Sequence, residues 1–149
     1  MLTKKAKYGL QAILLLAKDY GKGPITIADL AQREGIPKKF LESILLALKN
    51  RNILYSLKGK GGGYVLARPP NEISMGEIVR HLDGPLAPVP CVSKTAYRRC
   101  EECEDERTCG IRLVMKRVRD SIADILDGTS LEDVLNMIDE ARHEIQNRF

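Results

Sequence analysis

No stretch of this 149-residue chain is apolar for long enough to cross a bilayer, which takes about 18 consecutive apolar residues in a helix. The opening "MLTKKAKYGLQAILLLAKDYGKG" sets basic residues ahead of an apolar run, yet Gln11 interrupts the run and no small-residue cleavage site follows. It therefore reads as a helix and not as a secretory leader, and a cytoplasmic protein is expected. Histidine is scarce, with only His81 and His143. No nucleophile–base motif and no pair of catalytic carboxylates in an apolar setting stands out, so an enzyme has no support. "GKGGG", residues 59–63, sets Lys60 among glycines, but the phosphate-loop spacing G-x-x-x-x-G-K-[ST] and a strand-to-helix context are both missing. Cysteine is absent everywhere except one stretch, "PCVSKTAYRRCEECEDERTCG", residues 90–110, which holds Cys91, Cys100, Cys103 and Cys109.

What is present fits one domain, or a small domain with an appendage. A hydrophobic share of 44% is ordinary for a globular chain. The net charge of +4 hides an asymmetry: residues 1–70 carry 13 Lys and Arg against 4 Asp and Glu, and residues 71–149 carry 11 against 16. A basic front half suits a polyanion such as nucleic acid, although basic side chains also serve simply to solvate helix faces.

Residues 4–20 read as a helix with Tyr8, Ala12, Leu15, Leu16 and Tyr20 on its apolar face. "TIADLAQREG" follows, with Thr26 and Asp29 spaced as a capping box and Gly35 as the stop. Pro37 suits the first turn of the next helix, in which Phe40, Leu41, Ile44, Leu45 and Leu48 recur at core spacing. Two short helices meeting across "EGIP" have the outline of a helix-turn-helix, or of a generic helical hairpin. The sequel favours the former. Two β-prone runs, Ile53–Leu57 and Tyr64–Ala67, flank a turn rich in Gly and Lys, which predicts a hairpin. Such a hairpin directly after a helix-turn-helix is a wing, with Lys58 and Lys60 supplying charge and glycines such as Gly61 allowing close approach to a phosphate backbone.

"SMGEIVRHLDG" is a further capped helix, boxed by Ser74 and Glu77 and stopped at Gly84. "PLAPVP" then leads as an extended linker to the cysteines. Beyond them Ile111, Val114, Met115, Val118, Ile122, Ile125 and Leu126 form one apolar stripe along a long helix. Thr129 or Ser130 caps a last helix over residues 131–146. The stripe packs either on its own domain or on a twin chain, and a homodimer reading two half-sites about 34 Å apart is the expectation. The fold expected is mainly α: a winged helix-turn-helix over 1–84, a Pro-rich linker and cysteine loop over 85–110, and a dimerisation helix plus C-terminal helix over 111–149.

With "LTKKAKYGLQAILLLA", "IADLAQREGIPKKFLESILLALKNRNIL" and "KGGGYVLARPPNEISMGEIVRHLDGP" in view, nearly the whole chain resembles the bacterial Rrf-two family of winged-helix transcription regulators, which includes IscR-, NsrR- and CymR-like members. The wing "GGGYVLARPP" followed by "ISMGEIV" carries most of that resemblance. It implies a homodimer joined through the long helix and bound to a palindromic promoter site in double-stranded DNA. By position it directs Pro37, Lys38, Lys39 and Glu42 toward DNA, with Glu42 accepting from a cytosine amino group. Glu42 is equally readable as a solvent-facing charge, and Lys38 and Lys39 as simple phosphate anchors. Lys58 stands where relatives often carry an arginine for the minor groove, and lysine fits a narrow groove less well.

Cluster-binding members of that family carry C-x5-C-x5-C in this loop; here the spacing is C-x8-C-x2-C-x5-C. Cys103 and Cys109 keep the last interval, Cys91 falls where the first ligand is expected, and Cys100 is additional. The position of the IscR-like histidine ligand is Arg112, and that of the NsrR-like first-helix aspartate is Tyr8; neither side chain is a family ligand. A self-contained set of Cys91, Cys100, Cys103 and Cys109 is thus expected to hold a [2Fe–2S] or [4Fe–4S] cluster, with zinc as the alternative. A free thiol switch or a reversible disulfide also remains open. The carboxylates Glu101, Glu102, Glu104, Asp105 and Glu106 oppose thiolate formation unless a cation is bound, which favours a metal. The resulting expectation is a regulator sensing redox, iron–sulfur or nitric oxide status. A CymR-like regulator controlled by docking on a metabolic enzyme is the alternative.

Overall fold

The computed structural model describes residues 2–149, and among them lie six helices and one two-stranded sheet. Helix α1 (Lys4–Lys18) starts at Thr3, whose hydroxyl accepts from the Ala6 amide. Helix α2 (Ile27–Glu34) starts at Thr26, which accepts from the Asp29 amide, and closes on Gly35 with φ 64°. Helix α3 (Lys38–Asn50) follows, with Pro37 at the cap position ahead of it and not in its first turn. Proline's fixed φ suits both places, so spacing alone does not separate them.

Strands β1 (Leu54–Leu57) and β2 (Gly63–Leu66) pair antiparallel, Leu54 opposite Leu66 and Leu57 opposite Gly63, which leaves residues 58–62 as the tip. Ile25 adds a rung: its amide donates to the Tyr64 carbonyl at 3.0 Å and its carbonyl accepts from the Tyr64 amide at 2.8 Å. The hairpin is thereby tied to the entry of α2. Gly63 permits this approach, since a Cβ there would lie 2.4 Å from the Ile25 carbonyl oxygen.

Ile13 of α1, Leu30 of α2, Leu41, Ile44, Leu45 and Leu48 of α3, and Ile53 and Leu54 at the start of the hairpin are fully buried together. Each such side chain contributes about 1.5–3 kcal/mol by leaving water. Helix α4 (Met75–Asp83) closes this core with Ile78, Val79 and Leu82. Ser74 accepts from the Glu77 amide, but the Glu77 carboxylate does not return to complete the box. It takes the Arg68 guanidinium at 2.5 Å, a charge-assisted bond stronger than a capping contact to an amide.

Helix α5 (Gly110–Asp127) leads to α6 (Leu131–Gln146), which opens on a complete capping box of Ser130 and Asp133. The start of α6 returns to the winged unit. Leu131 is fully buried in the common core, its amide donates to the Ile73 carbonyl at 2.9 Å, and the Met75 amide donates to the Thr129 carbonyl at 2.9 Å. Arg80 of α4 grips Asp127 with two bonds of 2.6 and 2.7 Å. The face that α5 turns inward carries buried Arg119, while Ile111, Val114, Val118, Ile122 and Ile125 are exposed. No helix among the described residues is long and apolar enough to cross a membrane.

Candidate functional site

The outer face of α3 is built by its inner one. Leu41, Ile44, Leu45 and Leu48 anchor the helix, and the 3.6-residue period then turns Lys38, Lys39 and Glu42 to solvent. Pro37 is exposed just ahead of them. Ser43 and Leu46 share the exposed side, Leu46 at 53%, and extend the face one turn beyond the residues that the sequence singles out. The i+4 spacing of Ser43 from Lys39 and of Leu46 from Glu42 is the signal that points to them. On the hairpin, Lys58, Lys60 and Gly61 are all exposed at the tip, where the Gly62 amide donates to the Gly59 carbonyl at 3.1 Å. Both lysines extend from a turn closed by backbone bonds, so the tip presents charge on a defined scaffold.

Tyr8 is engaged within the winged unit. Its ring packs edge-on against Phe40, with centroids 5.5 Å apart, and Lys4 stands over its face. It braces α1 against the start of α3.

The cysteine loop is organised by its arginines and one tyrosine. Arg99 donates to the carbonyls of Cys103 and Glu104 at 3.0 and 3.2 Å, and Tyr97 donates to Glu106. Arg107 turns back on Asp105. Cys91, Cys100 and Cys109 line one cavity of about 570 Å³, shared with Arg98, Arg99 and Arg112. Cys103 feels the same neighbourhood: partial burial and the nearby Cys109 push its thiol up, Arg99 opposes this, and Glu106 and Cys100 reinforce it. Cys109 is the N-cap residue of α5. All four cysteines are free thiols. No three His, Cys, Asp or Glu side chains among the described residues converge tightly enough to hold a single metal ion. The donor set suits a cluster chemically, four soft thiolates in one loop, and its side chains would have to close inward on any group they hold.

A helix pair across a tight turn, a basic outer face on the second helix and a glycine-rich basic hairpin define a winged helix-turn-helix protein of the DNA-binding class. The chain belongs to the Rrf2 family, described as iron-dependent transcriptional regulators, which matches residues 2–137. An rrf2-like HTH-type transcriptional regulator of Rhodobacter capsulatus is 44% identical over 138 residues, covering 91% of this chain and 92% of that protein. The HTH-type transcriptional regulator CymR of Bacillus subtilis is 35% identical over 93% of this chain and 91% of its own. The solved structure of that protein, the global cysteine regulator, superposes with a TM-score of 0.77 over 92% of this chain and 97% of that one, at 33% identity. The structure of T. potens IscR does so with a TM-score of 0.76 and 30% identity, over 95% and 90%. The protein is therefore a transcriptional regulator of the CymR and IscR type, and its relatives are regulators and not enzymes.

Proposed function

We propose that this regulator binds a palindromic promoter site as a homodimer, and that its affinity for the site is set by an iron–sulfur cluster held by Cys91, Cys100, Cys103 and Cys109. The observation that supports the reading is the grouping of three thiols around one cavity at the N-cap of α5, with the fourth, Cys103, in the same loop. Bound there, a cluster supplies a centre whose charge and ligation change with oxidation or nitric oxide. The chain's own residues do the rest. Arg99 holds the Cys103–Glu104 backbone, and Arg98 and Arg112 set positive charge around the cavity against the thiolates and the flanking carboxylates. Negative charge on Cys109 would also meet the positive end of an 18-residue helix.

The same helix ends on Asp127, which Arg80 of α4 grips. A rearranged cysteine loop therefore has a continuous route, through α5 and α4, to the core on which the reading helix α3 sits. Two arrangements of that route give the two-state element that regulation requires. Lys38, Lys39 and Glu42 serve as the reading face, and Lys58, Lys60 and Gly61 as the wing contact.

Anaerobic purification followed by an absorption spectrum and analysis of iron, acid-labile sulfide and zinc tests the reading. Brown protein with iron and sulfide in equal amounts is expected. Colourless protein with stoichiometric zinc would make the loop a structural clasp, and protein without either would leave a thiol switch.

A further inference from the structure

The outer face of α3 is polar except at one position. Lys38, Lys39, Glu42, Ser43 and Lys49 are exposed on it, and Leu46 stands among them 53% exposed. A lone exposed leucine is ordinary on a protein surface and decides nothing by itself. Its setting does. Lys39, Glu42, Ser43 and Leu46 fall at i, i+3, i+4 and i+7, the spacing at which homeodomain recognition helices bring side chains to base edges. One turn to either side of Leu46 the neighbours are Glu42, Ser43, Lys49 and Asn50, all polar and all exposed. The helix thus offers the isobutyl group no apolar cover of its own.

Charge sets the partner of this face. Lys38, Lys39 and Lys49 stand against Glu42 alone, which suits a polyanion. On DNA the side chains divide by chemistry. Each lysine is a flexible point charge, fitted to phosphates. Ser43 donates its hydroxyl proton to the Phe40 carbonyl at 2.9 Å and keeps only acceptor capacity, which is also all that the Glu42 carboxylate has. Leu46 can neither donate nor accept. The apolar group that a base pair presents in the major groove is the C5-methyl of thymine. A leucine side chain in a helix also leans toward the N-terminus, which carries Leu46 over the Glu42–Ser43 turn.

We infer that Leu46 is a specificity-determining residue that packs on a thymine methyl and so adds a T·A requirement to each half-site. Leu46 lies four residues beyond Glu42, about 6 Å along the helix, so the thymine falls within about two base pairs of the base that Glu42 meets. The inference rests on α3 being the reading face and does not depend on what the cysteines hold.

The test uses the anaerobically purified full chain and its Leu46→Ala variant. Each selects duplexes from a random-sequence pool. Gel shifts then follow the duplex selected by the natural chain, with each thymine replaced in turn by deoxyuridine, which lacks only the C5-methyl. At one position per half-site the replacement should weaken the natural chain about fourfold for each methyl lost, the worth of one buried methyl group. For Leu46→Ala the same replacement should leave affinity unchanged, and its selected sequences should lose the thymine at that position alone. Leu46→Met, apolar and of similar volume, should keep the difference between thymine and deoxyuridine. The inference is overturned, with DNA reading by α3 intact, if deoxyuridine binds like thymine at every position or if Leu46→Ala still distinguishes the two. Selection of no sequence by the natural chain would overturn the reading of α3 and this assignment with it.

Discussion

Gly76 sits one residue into α4, at the point where that helix meets the end of α5. A Cβ built on it would lie 2.0 Å from Oδ1 of Asp127 and 3.2 Å from the backbone nitrogen of the same residue. The carboxylate in the way is the one that Arg80 holds, so it cannot swing aside without giving up two charge-assisted bonds. Gly76→Ala should therefore destabilise the protein by about 1–3 kcal/mol, the usual cost of overpacking, read as a lower urea midpoint. An unchanged midpoint would mean that α4 and α5 can part at this point without loss. The same carboxylate makes a pH prediction. Arg80 keeps Asp127 below the usual carboxylate range, so the folded chain takes up this proton less readily than the unfolded one. The pair's contribution is complete above about pH 3.9, the unfolded value, and fades as pH falls through the lower folded value. Both side chains are partly exposed, which limits that contribution to about 1 kcal/mol or less. Natural protein should exceed Asp127→Asn in stability by that margin at pH 6, and the gap should close under acid. A gap that is constant with pH would assign the effect to packing.

At the scale of elements, the helices were legible because their start signals are local. Thr26, Ser74 and Ser130 all accept from the amide three residues on, though only Ser130 completes the reciprocal box, and the last helix falls on the residues expected. Signals that depend on a distant partner were not legible. Glu77 abandons its capping box because Arg68 is within reach, and Ile25 pairs with Tyr64 although the two are far apart in sequence. Leu131 opens the expected last helix, yet nothing near it in sequence announces that it is fully buried, which it is because α6 returns to the α1–α4 core. Leu131→Ala should cost about 2–5 kcal/mol by urea unfolding, against a fraction of that for Met137→Ala, whose side chain is exposed on the same helix. The candidate site divides in the same way. Exposure of Lys38, Lys39 and Glu42 follows from the period of the apolar residues between them, so their outward placement could be anticipated. The buried Arg119 could not, since nothing in the run Lys116, Arg117, Val118, Arg119 marks which of its basic residues is enclosed. If Lys38 and Lys39 each meet a phosphate, Lys38→Ala/Lys39→Ala should flatten the logarithmic salt dependence of promoter binding by about 0.9 for each phosphate no longer neutralised, measured by gel shift across salt concentrations. Glu42→Ala should instead relax base preference by about 1–3 kcal/mol at one position and leave the salt slope unchanged. An unchanged slope in the double variant would remove these lysines from the reading face.

The whole molecule raises a problem that one chain does not solve. Helix α5 turns Ile111, Val114, Val118, Ile122 and Ile125 outward at 69%, 55%, 39%, 37% and 67% exposure, while its inward face buries an arginine. A helix packed only on its own domain does the reverse, because the apolar stripe is what drives it onto a core. An exposed apolar row of this length marks an interface. Under the proposed homodimer the occupant is the same row on a second copy, since a two-fold axis matches one stripe to its twin and would set two reading heads side by side. Val118→Glu together with Ile122→Glu places like charges across such an axis and leaves the buried residues untouched. The variant should sediment as a monomer with its helix content and thermal midpoint close to those of the natural chain measured at high dilution. Its promoter affinity should fall by about 100-fold or more, the drop expected when two linked half-site contacts become independent. Binding to an isolated half-site should not change. If the double variant remains dimeric, the stripe faces some other partner and half-site pairing has to arise from a different surface.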